Sequence, residues 1–275
     1  MQVSLIIPTY NREELLVQSL ECALRQDVND YEIILVDQTP QHTAETEKFL
    51  CEHAHRIKRI QLSPPSLTRA RNVGIRQSTG EVLVFVDDDT TFEPGFLARH
   101  LDAHQNGADV VQGRIMEKGA RVAEKPIWIS RWLKYSGSNT CQSPGKTNTI
   151  TGCNFSITRK VVETIGCFDE RFQGLATRED SDYGLRAFRA GLVLTFDPKA
   201  EVFHHRSSSG GVAGAVRNQF FDPSYYRCEM LFARKHFTNA VVALYRVRLF
   251  LRGAKQIRRL IANAGRDTGE PSQEH

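Results

Sequence analysis

The amino-terminal part of the sequence alternates short apolar runs with segments of helical spacing. The runs are Val3–Ile7, Glu32–Val36, Ile57–Leu62, Val82–Val86 and Asp109–Gly113. Between them, apolar positions recur with a period close to that of a helix, as at Leu15, Leu16, Leu20 and Leu24. Strands that alternate with helices predict an α/β fold whose sheet is mostly parallel and flanked by helices.

Polar residues follow three of these runs, where each predicted strand ends. Pro8, Thr9 and Tyr10 follow the first run, Asp37 the second, and Asp87–Asp89 the fourth. Ligands of open α/β sheets bind outside the carboxyl ends of the strands. The pattern therefore predicts a ligand site at one rim of the sheet.

Beyond residue 113 the pattern is less regular. We interpret residues 116–148 as an inserted loop or short helix over the site, and Ser207–Gly214 as a flexible loop. Between these we predict a strand over Thr149–Ile157, a helix over Arg178–Ala190, and two short strands that end near His204. We divide the chain at residues 113 and 224, which leaves 225–275 as a separate C-terminal segment.

The C-terminal segment has the pattern of a basic amphipathic helix from Tyr225 to about Ala264. One face holds Val247, Phe250, Ala254, Ile257 and Ile261, and the adjacent face holds Arg248, Arg252, Lys255 and Arg259. Two interpretations stay open. Residues 240–262 form either a peripheral membrane contact or a helix that packs on the domain with a solvated basic side.

Composition narrows the class of protein. The 275 residues are 25% charged, with a net charge of only +4, and residues 225–266 carry ten basic side chains against one acidic. Positive charge confined to one segment argues against a nucleic-acid partner. Six scattered cysteines favour reduced, cytoplasmic thiols over disulfides, and the first residues read as a strand rather than a signal peptide.

The three consecutive aspartates carry the clearest chemistry. Because side chains alternate along extended chain, Asp87 and Asp89 share a face and Asp88 points away. Like charges at the end of a buried strand repel, and a divalent cation with hard oxygen ligands would offset that cost. We favour Mg²⁺ or Mn²⁺ on a diphosphate here, and the alternative is a solvated acidic turn.

A second group of carboxylates opens the helix predicted over Arg178–Ala190. Acids in the first turn of a helix often only complement its dipole, but Glu179, Asp180 and Asp182 together suggest a general base. His204 and His205 could supply a last metal ligand or could be ordinary structural histidines. The sequence has no P-loop, dinucleotide fingerprint or nucleophile elbow.

Several motifs, in order over residues 2–206, resemble those of family 2 glycosyltransferases with the GT-A fold. They are Ser4–Arg12 (SLIIPTYNR), Ala70–Ile75 (ARNVGI), Thr79–Glu81 (TGE), Val84–Asp89 (VFVDDD), Gly152–Ser156 (GCNFS), Gly166–Phe172 (GCFDERF) and Glu179–Arg186 (EDSDYGLR). The resemblance implies inverting, metal-dependent sugar transfer from a UDP-, dTDP- or GDP-sugar to a hydroxyl of a glycan or lipid-linked acceptor. It also implies that 1–113 is the nucleotide-sugar-binding half and 114–224 the acceptor-binding and catalytic half of one domain.

The resemblance further implies a role for individual residues. Asp180 is the expected base with Glu179 as helper, and Asp89 is the expected metal ligand with His204 or His205. The expected acceptor contacts are Gly152, Asn154 and Asp182. The expected nucleotide contacts are Pro8, Thr9, Tyr10, Arg12, Asp37, Arg71, Asp87 and Asp88.

Two other classes of protein stay open as alternatives. A sugar-phosphate nucleotidyltransferase would need a Gly-rich basic loop after the first strand, where this chain has Pro8-Thr9-Tyr10-Asn11. A non-catalytic nucleotide-binding scaffold would not need the intact Asp89 and Asp180. We expect a cytoplasmic enzyme of envelope or exported glycan synthesis, at the inner face of the plasma membrane if the basic helix binds lipid.

Overall fold

The computed structural model describes residues 1–206, 210–211 and 221–267, with the backbone alone at 257 and 259–267. Most of the predicted Ser207–Gly214 loop therefore lies outside the described residues. So do the side chains of Ile257, Ile261 and Arg259. Within the described part of the chain, no helix is long and apolar enough to cross a membrane.

The elements alternate in the predicted order through the first half of the chain. The strands are β1 Val3–Thr9, β2 Tyr31–Asp37, β3 Ile57–Gln61, β4 Val82–Val86, β5 Thr90–Thr91, β6 Val110–Met116, β7 Trp128–Ile129, β8 Tyr135–Ser136, β9 Gly145–Lys146, β10 Asn154–Thr158 and β11 Leu194–His204. The helices are α1 Glu14–Leu24, α2 Ala44–Glu52, α3 Leu67–Gln77, α4 Phe96–Gln105, α5 Arg159–Ile165, α6 Glu179–Arg189, α7 Pro223–His236 and α8 Asn239–Asp267.

The central sheet has the order β3-β2-β1-β4-β10-β6-β11-β5, and β9 pairs with β11. Strands β1 to β4 are parallel, which confirms the mixed α/β fold with a mostly parallel sheet. Three strands of the described chain run against this direction: β10 lies antiparallel between β4 and β6, and the short strands β5 and β9 are antiparallel to β11. Strands β10 and β11 come from residues beyond 113, so both halves of the chain build one sheet.

Apolar clusters cover both faces of this sheet. Helices α1 and α4 pack on one face and α3, α5 and α6 on the other, and β4 is buried along its whole length. Helix α3 lies close to β1 because Gly74 faces Ile6, where an added Cβ would collide with the isoleucine side chain. Close packing of α3 brings the polar residues of its first turns near the sheet rim.

Two predicted segments differ from the structure. Residues 116–148 are mostly irregular, as the loop alternative predicted, but they contain the short hairpin β7–β8 and strand β9, and the short helix is absent. The single C-terminal helix is two helices, α7 and α8, separated at Phe237-Thr238. The break lets α7 and α8 pack against each other and around the buried Phe232 and Tyr245, in a cluster that reaches β7 and α6.

Candidate active site

A cavity of about 340 Å³ opens at the carboxyl rim of the sheet. Its walls are formed by the ends of strands β1, β2, β4 and β11, by the start of helix α3, and by the loop that precedes α6. The lining residues are Pro8, Thr9, Tyr10, Arg12, Gln38, Leu67, Asp87, Asp88, Asp89, Leu175, His204, Arg206 and Gly211. A larger cavity of about 920 Å³ beside α1 and α4 does not include these acids.

Two carboxylates and an imidazole form a cluster in the rim cavity. One ligand atom each from Asp87, Asp89 and His204 lie within 4.8 Å of one another. Asp88 lines the same cavity but is not part of this cluster, and it accepts a hydrogen bond of 2.6 Å from the hydroxyl of Thr9. Carboxylate oxygens and a neutral imidazole suit a divalent cation such as Mg²⁺ or Mn²⁺, so the donor set fits the predicted metal.

Positive charge holds these acids in place. Arg12 forms ion pairs with Asp88, at 3.3 Å, and with Asp89. Burial opposes ionisation of Asp89, but His204 and Arg12 together lower its pKa well below the ordinary value. Burial would lower the pKa of His204, but the hydrogen bond and charge of Asp89 raise it to about 9. Arg12 and protonated His204 therefore compensate the charge of Asp89, and His204 must lose its proton before its nitrogen can bind a metal.

The structure separates the two histidines that the sequence left open. His204 Nε2 lies 3.3 Å from Asp89 Oδ1. The ring of His205 instead lies on the other side of the strand, where Nε2 is 3.0 Å from the hydroxyl of Thr91. Only its main-chain N–H approaches the site, donating to the carbonyl of Asp89 at 2.9 Å. His204 is therefore the histidine that belongs to the cluster.

Sequence reasoning missed Glu117 and Arg206. Glu117 Oε1 lies 3.3 Å from His204 Nδ1, and Arg206 Nε lies 2.6 Å from the other oxygen of Glu117. Glu117 follows β6, and parallel pairing of β6 with β11 places it beside His204. No sequence motif includes Glu117. Its proximity to His204 can be recognised only when the pairing of β6 with β11 is known.

Asp180 lies in the first turn of helix α6, outside the set of residues that line the rim cavity. One carboxylate oxygen accepts the main-chain N–H of Gly152 at 3.0 Å, and the other accepts that of Ser181 at 2.5 Å. Asp180 is half-buried, whereas Glu179 is buried and paired with Arg71. Burial, and then the charge of Asp180, raise the pKa of Glu179 well above its ordinary value. Of the two acids, Asp180 is the more exposed and the one without an ion pair to Arg71.

Arg71 links the two groups of acids from inside the protein. Its guanidinium is 1% exposed, and it contacts Glu179, the carbonyl of Gly152 at 3.1 Å and Asp87 at 3.6 Å. A side chain enclosed in this way does not line the cavity. The structure therefore places Arg71 outside the rim cavity, where it joins Asp87 to Glu179 of helix α6.

Asp37 and Asn154 are also held away from the cavity. Asp37 is fully buried, and its carboxylate interacts with Arg59, Gln61, His42 and a main-chain N–H. Its neighbour Gln38 lines the cavity instead. The amide of Asn154 donates to the carbonyls of Arg114 and Ala200 and so ties β10 to the neighbouring strands.

Asp182, the third predicted acceptor contact, faces helix α7. Its carboxylate accepts hydrogen bonds from His236 at 2.7 Å, from Lys235 at 3.0 Å and from Arg186 at 2.9 Å. Because Asp182 and Asp180 are two positions apart on α6, they point to different sides of the helix. The structure does not bring Asp182 to the cavity, and Gly152 is the predicted acceptor-side residue that contacts Asp180 and Arg71.

Comparison with solved structures supports the architecture. S. aureus TarS 1–349 in complex with UDP-GlcNAc superposes with a TM-score of 0.62 at 20% identity, over 85% of this chain and 66% of that one. GalNAc-T7 with UDP, GalNAc and Mn²⁺ gives 0.64 at 15% identity, over 83% and 47%. At these identities the likeness shows the fold, and together with the carboxylate rim it defines a GT-A-type α/β protein.

The family follows from the sequence comparison. Residues 4–166 match the model of glycosyl transferase family 2, and because they make up more than half of the chain, the chain belongs to this family. Glycosyltransferase AglE of Haloferax volcanii is 28% identical over 202 residues, which cover 70% of this chain and 64% of AglE. The chain spans less than two thirds of the length of the curated relatives it matches.

Proposed function

We propose that the protein is an inverting, divalent-metal-dependent glycosyltransferase that moves a sugar from a nucleoside-diphosphate sugar to a hydroxyl acceptor. The observation that carries the proposal is the cluster of Asp87, Asp89 and His204, which the buried Arg71 and the main chain of Gly152 connect to Asp180. The bound UDP-GlcNAc of TarS and the UDP and Mn²⁺ of GalNAc-T7 support this choice of donor and metal.

The donor side of the reaction needs a stabilised leaving group. Asp87, Asp89 and His204 would hold the cation, which neutralises negative charge developing on the diphosphate as the bond to the sugar breaks. Arg12 adds a fixed positive charge on the same side, at the carboxylates of Asp88 and Asp89. Pro8, Thr9, Tyr10, Gln38 and Leu67 form the wall against which the nucleoside would lie.

The acceptor side needs a general base. Asp180 would take the proton of the acceptor hydroxyl as its oxygen bonds to the anomeric carbon, and the electron pair of the broken bond leaves with the diphosphate. The main-chain N–H groups of Gly152 and Ser181 fix the orientation of this carboxylate. A single displacement inverts the anomeric carbon and needs no nucleophilic serine or cysteine.

Arg71 would act as a positioning residue in this scheme. Its contacts with Asp87 on the donor side and with Glu179 and Gly152 on the base side hold the two halves of the reaction at a fixed distance. Misplacement of reacting groups by about 1 Å can cost a hundredfold in rate. Arg71 thus contributes although it is too deeply buried to reach the donor.

We place the reaction in the synthesis of an envelope or exported glycan, on the cytoplasmic side, with a glycan or lipid-linked acceptor. The basic C-terminal helices support a site near an anionic surface, because Lys and Arg are attracted to such lipids.

Donor hydrolysis tests the proposal. Release of nucleoside diphosphate from UDP-GlcNAc and from dTDP- and GDP-sugars is measured with Mn²⁺, with Mg²⁺ and with EDTA. We expect metal-dependent release, lost in Asp89→Asn and retained in the matched control Asp30→Asn, whose side chain is exposed. Asp180→Asn should still bind donor but abolish transfer to acceptor. Equal release with and without metal would refute the role of Asp89.

A further inference from the structure

Helix α8 has two apolar sides, and the described part of the chain covers one of them. Val242, Tyr245 and Leu249 are buried in the cluster with α7. The helix turns by about 100° per residue, so these positions define a single buried stripe. The stripe accounts for the packing of α8 and leaves its other side to be explained.

The side that faces away from the protein is also apolar. Leu244, Val247, Phe250 and Leu251 are between 42% and 74% exposed. Their spacing of three and four residues places them in one stripe nearly opposite the buried one. The described structure offers no element that covers this outer stripe. A contiguous exposed apolar patch of this kind marks an interaction surface.

Cations border the outer stripe. Arg246 lies along one edge of the outer stripe, and Arg252 and Lys255 lie along the other. Arg258 lies further along the helix in line with the stripe. All four side chains are exposed. No acidic residue occurs between Glu229 and Asp267. A partner must therefore offer apolar material at the centre and negative charge at the edges. A second copy of this helix is a poor match, because it would bring the same cations against those of the first.

An exposed tryptophan lies beside the same surface. The carbonyl of Trp132 accepts a hydrogen bond of 3.0 Å from Arg248, whose position on α8 falls between Leu244 and Leu251. The Trp132 side chain is 49% exposed, and the guanidinium of Arg131 lies 5.3 Å from the centre of its ring. Tryptophan is enriched at the interfaces of bilayers, where its amphipathic ring lies at the level of the headgroups.

We propose that α8 lies in the plane of an anionic lipid bilayer, with Leu244, Val247, Phe250 and Leu251 inserted among the acyl chains and the flanking cations at the headgroups. An interfacial helix of this type buries its apolar face by about 5–10 Å. This inference concerns where the protein sits and does not depend on the proposed reaction. The apolar face proposed here differs from the one predicted from the sequence pattern, which included Ala254 and did not include Leu244 or Leu251.

Vesicle sedimentation tests the inference with the full chain. Vesicles of phosphatidylcholine alone are compared with vesicles that also contain phosphatidylglycerol. We expect binding only to the anionic vesicles, weakened by salt because the contacts are near the surface. Val247→Gln and Leu251→Gln should each reduce the partition coefficient roughly tenfold. Arg252→Gln and Lys255→Gln should each reduce it about fivefold, as expected for a cation near such a surface.

Matched controls separate this surface from exposed residues elsewhere. Val193 is 51% exposed and Lys48 is exposed on α2, so Val193→Gln and Lys48→Gln should leave the partition coefficient unchanged. Circular dichroism shows whether each variant folds, and donor hydrolysis shows whether the rim cavity is intact. The inference would be overturned if all variants bound the anionic vesicles equally, or if the protein bound only to the neutral vesicles. It would also be overturned if the protein bound no vesicles and instead formed a dimer that substitutions in α8 dissociate.

Discussion

Asp182 offers a direct test of how the structure reassigns a motif residue. The family resemblance implied an acceptor contact, but the buried carboxylate binds Arg186 on its own helix and Lys235 and His236 on α7. The perturbation we choose is Asp182→Asn, which keeps the shape of the side chain and removes its charge. If the carboxylate holds α7 to α6, the variant loses stability. If it binds acceptor, the variant loses acceptor affinity.

The expected loss of stability in Asp182→Asn follows from the burial of the carboxylate and from the number of groups that donate to it. Asp182 is fully buried, and at least two of its three partners are cations. Removing one partner of a buried ion pair typically costs about 3–5 kcal/mol, because the remaining charges lose their compensation. The partial exposure of Lys235 and Arg186 argues for the lower end, about 3 kcal/mol. For a chain of this size that corresponds to a melting temperature lower by roughly 6–12 °C.

The pH dependence gives a second signature. Burial opposes ionisation of Asp182, but the hydrogen bonds of His236 and Lys235 and the charge of Arg186 lower its pKa. A carboxyl group whose pKa is lowered by folding stabilises the protein above its unfolded pKa of about 3.9. That stabilisation is lost as the pH falls through the folded value. Wild type should therefore lose stability below about pH 4 more steeply than Asp182→Asn.

Urea unfolding followed by circular dichroism measures the loss, and initial rates at varied acceptor concentration measure the alternative. The control is Asp102→Asn, whose exposed carboxylate lies 3.7 Å from Arg99 and should change stability by no more than about 0.5 kcal/mol. A variant within 1 kcal/mol of wild type, or one with normal stability and a raised acceptor KM, would refute the structural role.

Two further predictions concern the rim itself. Gly152→Ala places a Cβ against the Arg71 guanidinium, so we expect turnover to fall by roughly a hundredfold. The control is Gly95→Ala, whose added Cβ meets no atom within 4 Å and which should retain the wild-type initial rate. The pKa of about 9 for His204 means that protons compete with metal below pH 9, so Mn²⁺ affinity measured by calorimetry should rise about tenfold per pH unit from 7 to 8. The increase of Mn²⁺ affinity with pH should be smaller in His204→Gln and unchanged in His205→Gln. If both variants showed the same dependence on pH, the proton that competes with the metal would belong to another residue.

The sequence predicted the parts of the site that local rules control. Apolar runs locate the strands, and the ends of parallel strands meet at one rim, so Thr9 and Asp87–Asp89 could be placed together before the structure was known. Alternation along extended chain predicted that Asp88 points away from its two neighbours, but residues 88–89 form a turn, and Asp88 lines the same cavity while it bonds to Thr9. These predictions depend only on strand direction and side-chain periodicity.

The residues that could not be placed depend on contacts between distant segments. Asp37 and Asp182 look like ligand residues in the sequence, but partners from other elements surround both carboxylates. Strand β10 enters antiparallel, which no single-strand pattern reveals, and Glu117 reaches His204 only through the pairing of β6 with β11. Such choices are decided by tertiary packing and burial rather than by local propensity.

The proposed base and the last member of the metal cluster both lie beyond the segment that defines the family. The family match ends at residue 166, whereas Asp180 and His204 come later in the chain. Arg178, directly before Glu179, has a left-handed backbone at φ 75° and is held there by Glu229 of α7, which also accepts a hydrogen bond of 2.6 Å from Tyr245 of α8. The C-terminal helices therefore fix the start of the helix that carries Asp180. Because these contacts are buried, a bilayer that held α8 would also fix the direction in which the rim cavity faces.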